Sequence, residues 1–105
     1  MANDTTLVIK NRSDKDRTIK DAIFAFSGGT KSLMIKGEGN EISTAVEVAE
    51  ILKHRMYPSI EIANISLGSR PYYNHKRRGY KNRQKPKQKK DLISNIEITL
   101  SKLNL

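Results

Sequence analysis

From Lys36 to Met56, apolar residues at 42, 45, 46, 49, 52 and 56 recur at the three-and-four spacing of one helical face, while Glu41, Glu47, Glu50, Lys53 and His54 take much of the remaining circumference. The spacing predicts a long amphipathic helix with one side to bury. Asn40 is placed to cap it, because a short side-chain oxygen accepts the unpaired amide protons of a first turn, and Glu41 complements the positive helix end. Lys53 and Arg55, followed by Pro58, mark its far end. Val48 and Ile51 fall off the main stripe, which predicts a second apolar contact there, with a partner subunit.

The remaining elements follow from the same kind of pattern. Thr5 to Lys10 is short and rich in β-branched residues, as an opening strand is. Ser13-Asp14-Lys15-Asp16 reads as a cap with acids in a first turn, and the helix it starts runs to about Ser27, burying Ile19, Ala22, Ile23 and Phe26 and stopping at Gly28-Gly29. Phe24 is left over for the edge of the core. Lys31 to Lys36 carries three consecutive apolar residues, the signature of a strand covered on both faces. Ile60 to Ser69 alternates with a slip of phase, and one inserted residue near Ala63-Asn64, a β-bulge, returns Ile65 and Leu67 to the face of Ile60 and Ile62. Leu92 to Leu103 alternates cleanly at Ile96, Ile98 and Leu100. Two strands joined by a helix imply a right-handed parallel unit, and the last two strands pair antiparallel. The expected fold class is therefore α/β: a βαβαββ two-layer sandwich with a four-stranded mixed sheet, both helices on one face, and a long arm between the third and fourth strands.

Composition narrows the function. A chain of 105 residues makes one domain, 1–105, with a single core. The absence of cysteine excludes disulfides and thiolate metal sites. No apolar run approaches the roughly 18 residues of a membrane span, and Met1 to Thr6 lacks the regions of a signal peptide, so the expected location is intracellular, in nucleus or cytoplasm. The formal net charge of +9 is unevenly placed. Residues 70–90 contain ten of the twenty basic residues and no acid, so the remainder holds ten basic against eleven acidic residues, a net of −1. A polycationic segment on a near-neutral body points to a polyanionic partner, with nucleic acid first and an anionic membrane surface second.

That segment, spanning about 70–91, is far longer than the roughly two to five residues of a tight hairpin. It contains no aliphatic residue and repels itself, which predicts a mobile tip and a base that extends the flanking strands as a β-ribbon. Arg70, Lys76, Arg77, Arg78, Lys81, Arg83, Lys85, Lys87, Lys89 and Lys90 supply cations for phosphates, and Tyr72, Tyr73 and Tyr80 supply faces for stacking on exposed bases. The alternative is a solvated basic loop serving solubility or nuclear import. Gly37-Glu38-Gly39 is half a dinucleotide fingerprint, but it lacks the third glycine and places Glu38 against any phosphate. Its glycines are better explained by a tight strand-to-helix turn. Lys36 beside it is a candidate phosphate contact. His54 and His75 are too far apart for a metal pair, and no nucleophile, base and orienting group gather in the sequence, so neither a metal site, a cofactor nor an enzyme is expected.

The run Lys36-Gly37-x-Gly39-x-x-Ile42-Ser43-x-Ala45-Val46-x-x-Ala49-Glu50-Ile51-Leu52-Lys53-x-Arg55, followed by Ile62-Ala63-Asn64-Ile65-Ser66-Leu67-Gly68-Ser69 and a closing Ile96-Glu97-Ile98-Thr99-Leu100, resembles the Alba family of small chromatin- and RNA-binding proteins. The resemblance covers about 5–103 and implies the sandwich above, an architecture that family shares with the C-terminal domain of translation initiation factor three. It also implies a dimer, homotypic or with another Alba-like chain, whose basic hairpins follow the groove of a duplex. By the same resemblance Lys10 and Arg12 stand near the family's paired lysines against phosphate, the other reading being an ordinary exposed turn. Met56 stands where the family often has a phenylalanine between neighbouring dimers, the other reading being that it closes the core. Family members commonly carry arginines in the turn where this chain has Glu38 and Asn40. The function implied is low-specificity binding of DNA or RNA in chromatin organisation or messenger-RNA regulation. The alternative is a protein subunit of a ribonuclease P-like or mitochondrial-RNA-processing-like ribonucleoprotein.

Overall fold

The β-branched run near the start of the chain forms strand β1 (Asp4–Ile9) in the computed structural model, which describes residues 4–72 and 91–103. A 3-10 turn (Arg12–Asp14) leads into helix α1 (Lys15–Ser27), and strand β2 (Ser32–Glu38) returns parallel to β1 with Thr5 opposite Leu33 and Ile9 opposite Gly37. A second 3-10 turn (Gly39–Glu41) opens helix α2 (Ile42–Arg55), and the chain ends in two long strands, β3 (Ile60–Tyr72) and β4 (Asp91–Lys102). The sheet order is β1-β2-β4-β3, with β4 antiparallel to both neighbours. The expected βαβαββ order, mixed sheet and one-sided helical layer are all present.

Alternation in β2 decides which face of the sheet is the core. Leu33, Ile35 and Gly37 are buried, while Met34 and Lys36 between them are half-exposed on the other side. The three consecutive apolar residues therefore do not mark a strand covered twice. Only one face is covered, and Met34 lies on the open one, in a row with Thr6 and Thr99. On the covered face Leu33 and Ile35 stand opposite Leu100 and Ile98, and α1 adds Ile19, Ala22 and Phe26 to one continuous apolar cluster. Phe24 is not at the edge of this core; it is 80% exposed, because it projects from the opposite side of α1.

Helix α2 sits rotated from the orientation its apolar stripe predicts. It buries Thr44, Ala45, Val48, Ala49 and Leu52, and leaves Val46 on the exposed side. Val48, expected to meet a partner subunit, is 0% exposed within its own chain and has no surface to offer. Ile51 and Met56 are partly buried against the core cluster. Asn40 does not cap the helix; it lies inside the 3-10 turn, Glu41 precedes the first helical residue, and no side chain caps that end.

The expected bulge falls between Ile62 and Asn64, and beyond it Ile65 and Leu67 pair with Ile98 and Ile96 on the helix-facing side. The helical layer ends before it reaches them, so they are 54% and 75% exposed. The pairing continues to Tyr72 opposite Asp91, forming the base of the expected ribbon. The expected mobile tip, with Tyr73, Lys76, Arg77, Arg78, Tyr80, Lys81, Arg83, Lys85, Lys87, Lys89 and Lys90, lies outside the described residues.

Two glycines make the strand-to-helix turn. Gly39 has a φ of 56°, a left-handed conformation that side chains strain. Gly37 has no room for a side chain: a Cβ there would stand 2.5 Å from the Glu41 carbonyl oxygen and 3.0 Å from the Ala45 Cβ. We expect Gly37→Ala to cost about 1–3 kcal/mol through overpacking against backbone, and Ser43→Ala, on the exposed side of α2, to stay within about 0.5 kcal/mol of the parent. Urea unfolding of the two variants beside the parent checks both.

Candidate nucleic-acid interface

The turn after β1 is held from inside. The Asp14 carboxylate accepts the backbone N–H of Lys10 at 3.0 Å and of Asn11 at 3.2 Å. Those two amides are therefore occupied, and what the turn holds out to an incoming anion includes its side chains. Of these, the exposed Arg12 reaches back to α2. Its Nη1 donates to the Thr44 hydroxyl at 3.1 Å, and its Nη2 lies 3.3 Å from the Glu47 carboxylate, which Lys15 approaches at 3.7 Å. The bond to Arg12 also explains how a polar residue, Thr44, sits fully buried at the helix surface facing α1 and the turn.

Lys36 and Arg70 lie on the open face of the sheet. Lys36 stands directly opposite Glu97 in the β2–β4 ladder, and its Nζ is 3.3 Å from that carboxylate. Arg70 extends from β3 across β4 to Glu38 on β2, donating through Nε at 2.8 Å and Nη2 at 3.1 Å to the two carboxylate oxygens. The hydrogen bond from Arg70 holds the Glu38 carboxyl below the usual carboxylate range, and the same bond raises Arg70. A shallow groove at this end of the sheet is lined by Val8, Lys10, Lys36, Glu38 and Glu41. Two lysines and two carboxylates thus share it.

The structure brings Lys10 and Lys36 to one groove and sets Arg70 beside it through Glu38. Arg12 is directed away, toward α2. The pairing of Glu38, Glu47 and Glu97 with the candidate cations Arg70, Arg12 and Lys36 was not expected from the sequence. Its signal lies in the strand register and in which elements become neighbours, and neither is written in local spacing. Among the described residues no group of three histidines or acids is placed to hold a metal ion, and no helix is long and apolar enough to cross a membrane.

A second surface lies on the helix-facing side of the sheet. Ile51, Tyr57 and Ile62 line an open hollow with Glu50, Lys53, His54 and Arg55, and the exposed Ile65 and Leu67 continue along β3 from Ile62. The sequence pattern assigned Ile62, Ile65 and Leu67 to a covered face without showing that the cover stops short.

Comparison with known proteins places this arrangement. The family model Alba matches residues 5–69. DNA/RNA-binding protein Alba 2 of Saccharolobus solfataricus is 32% identical over 63 residues, covering 60% of this chain and 71% of that protein. DNA/RNA-binding protein Alba of Thermoplasma acidophilum is 34% identical over 77 residues, 73% of each. In three dimensions Alba from Thermoplasma volcanium superposes with a TM-score of 0.64 at 24% identity, covering 91% of this chain and 98% of its own. ALBA1 from Trypanosoma brucei gives 0.66 at 18% identity, covering 92% and 68%. With the family's pattern running from the first strand to the ribbon and the same fold around it, the chain belongs to the Alba family.

Proposed function

We propose that this chain binds DNA or RNA chiefly through the phosphate backbone, with little base specificity, and acts inside the cell in chromatin organisation or in holding and regulating messenger RNA. The observation that carries this reading is the placement of charge. Half the lysines and arginines fall in residues 70–90 with no acid among them, and nine of those ten lie beyond Arg70, while Arg12, Lys36 and Arg70 itself each have a carboxylate partner. A dense row of cations releases the counterions condensed on a nucleic acid, a driving force indifferent to sequence. The printed names of the archaeal relatives, DNA/RNA-binding proteins, support the same ligand class. Tyr72, Tyr73 and Tyr80 add stacking surfaces where bases are unpaired.

The functional unit in this reading is a dimer with a second Alba-like chain, seated on the uncovered apolar strip of Ile51, Ile62, Ile65 and Leu67. Apolar residues on the helix-facing side of a sheet edge gain by being covered, and a second copy presents a strip of the same kind. Two arms then leave one assembly and follow one duplex.

Two results are expected. Replacing Pro71 to Lys90 with Asn-Gly leaves the fold intact and removes most of the affinity for duplex DNA and RNA. The intact chain, engaging about 6–10 phosphates, loses on the order of a thousandfold or more in affinity between about 50 and 200 mM salt, and the shortened chain loses far less. Affinity that survives the deletion moves the binding surface to Lys10, Arg12 and Lys36. Leu67→Glu, at a position 75% exposed in the single chain, keeps the fold but shifts sedimentation from dimer to monomer. A parent chain that aggregates alone and becomes soluble only with a different Alba-like subunit turns the reading to a ribonucleoprotein component.

A further inference from the structure

At the root of the ribbon the Nε–Nη2 edge of the Arg70 guanidinium is already taken. Nε and Nη2 donate to the two oxygens of Glu38 at 2.8 and 3.1 Å, the paired arrangement in which a guanidinium grips a phosphate. We propose that Glu38 is an internal competitor for nucleic-acid phosphate: it occupies Arg70 in the free chain and weakens backbone contact at the root of the arm, so that the arm beyond holds the ligand. The proposal rests on nucleic-acid binding by this chain.

The surroundings give the carboxylate this role rather than a structural one. The ladder between β3 and β4 continues past Arg70 to Tyr72 opposite Asp91, so the ribbon is paired without the Arg70–Glu38 bridge. Both side chains are about half exposed, where an ion pair adds little to stability and a polyanion has access. Glu38 also stays charged at neutral pH when Arg70 is taken from it, as an exposed carboxylate ordinarily does. A phosphate that takes the Nε–Nη2 edge of Arg70 therefore meets two penalties, the lost partner and a fixed negative charge left beside it, and one that approaches Nη1 still meets the charge. Glu41 lines the same groove as Glu38, and Glu97 holds Lys36, so of the groove's two lysines Lys36 compensates only by giving up its partner and Lys10 only beside two acids.

The test uses the full chain and four forms: parent, Glu38→Gln, Arg70→Gln and the double variant. Each is titrated with a short DNA duplex and an RNA duplex of the same sequence across a salt series, with circular dichroism confirming the fold. Glu38→Gln is expected to bind about three- to tenfold tighter at low salt, with a salt slope steeper by about 0.9, the contribution of one added phosphate contact. Arg70→Gln alone is expected to change affinity by less than about twofold, and the double variant to lose most of the gain, a non-additivity that independent sites do not show. In the parent, the carboxyl carbon of Glu38 followed by NMR should titrate at lower pH than in Arg70→Gln. Equal midpoints overturn the proposal by removing the pair. An unchanged or weaker Glu38→Gln also overturns it, the weaker case making the bridge a clamp that orients the ribbon. If the parent binds while Glu38→Gln gains nothing, only the competitor role falls; if no form binds either duplex, nucleic-acid binding falls with it.

Discussion

Helix α2 lies against β2 so closely that Gly37 cannot carry a Cβ without meeting the Glu41 carbonyl and the Ala45 side chain. That contact fixes how the two layers fit. Small residues on the helix, Ala45 and Ala49, are fully buried with Val48, and across the sheet the space beneath is filled by Leu33, Ile35, Ile98 and Leu100. A helix seated this tightly over the centre of the sheet covers β2 and β4 and cannot also reach the outer part of β3. The strip at Ile65 and Leu67 is left bare by geometry, since in their register these residues point the same way as the buried Ile98 and Ile96.

The two sides of the ribbon's base consequently differ in chemistry. On the helix-facing side an apolar row runs outward from Ile62 and continues the core's own surface. On the open side Arg70 is bound to Glu38, and Lys36 to Glu97. One strand pair thus carries a surface suited to protein on one side and a surface suited to charge on the other, and because side chains alternate along a strand, the two need not compete for positions.

Much of the fold was legible because period and punctuation agreed. The parallel strand-helix-strand start, the glycine turn, the bulge beside Asn64 and the antiparallel close all follow from local pattern. The orientation of α2 was not legible. Counting apolar residues favoured Ile42 and Val46, whereas the buried face turns toward Thr44 and Val48, and Thr44 is tolerated there because Arg12 donates to its hydroxyl. A polar residue satisfied by a partner 32 positions away leaves no trace in a hydrophobic stripe. The same limit hid the ion pairs: Glu38 and Arg70 are also 32 residues apart, and they meet only because β4 inserts between β2 and β3 and the bulge sets the register beyond it. The candidate cations could be named from sequence, but not the carboxylates that hold them.

Charge compensation on the body and charge excess in the arm belong together. Had Lys36, Arg12 and Arg70 stood without acids, the face at the ends of β1 and β2 would add to a positive field already large from 70–90, and like charges crowded near a folded body raise its energy. Pairing each with a carboxylate leaves the body near neutral and sets the positive potential at the end of the ribbon. In the proposed reading a polyanion is drawn first to the acid-free run of cations at 76–90. Contact with Arg12, Lys36 or Arg70 comes second in that reading, because a phosphate there competes with a carboxylate already in place. On that reading the order of engagement depends on where the acids are as much as on where the lysines and arginines are.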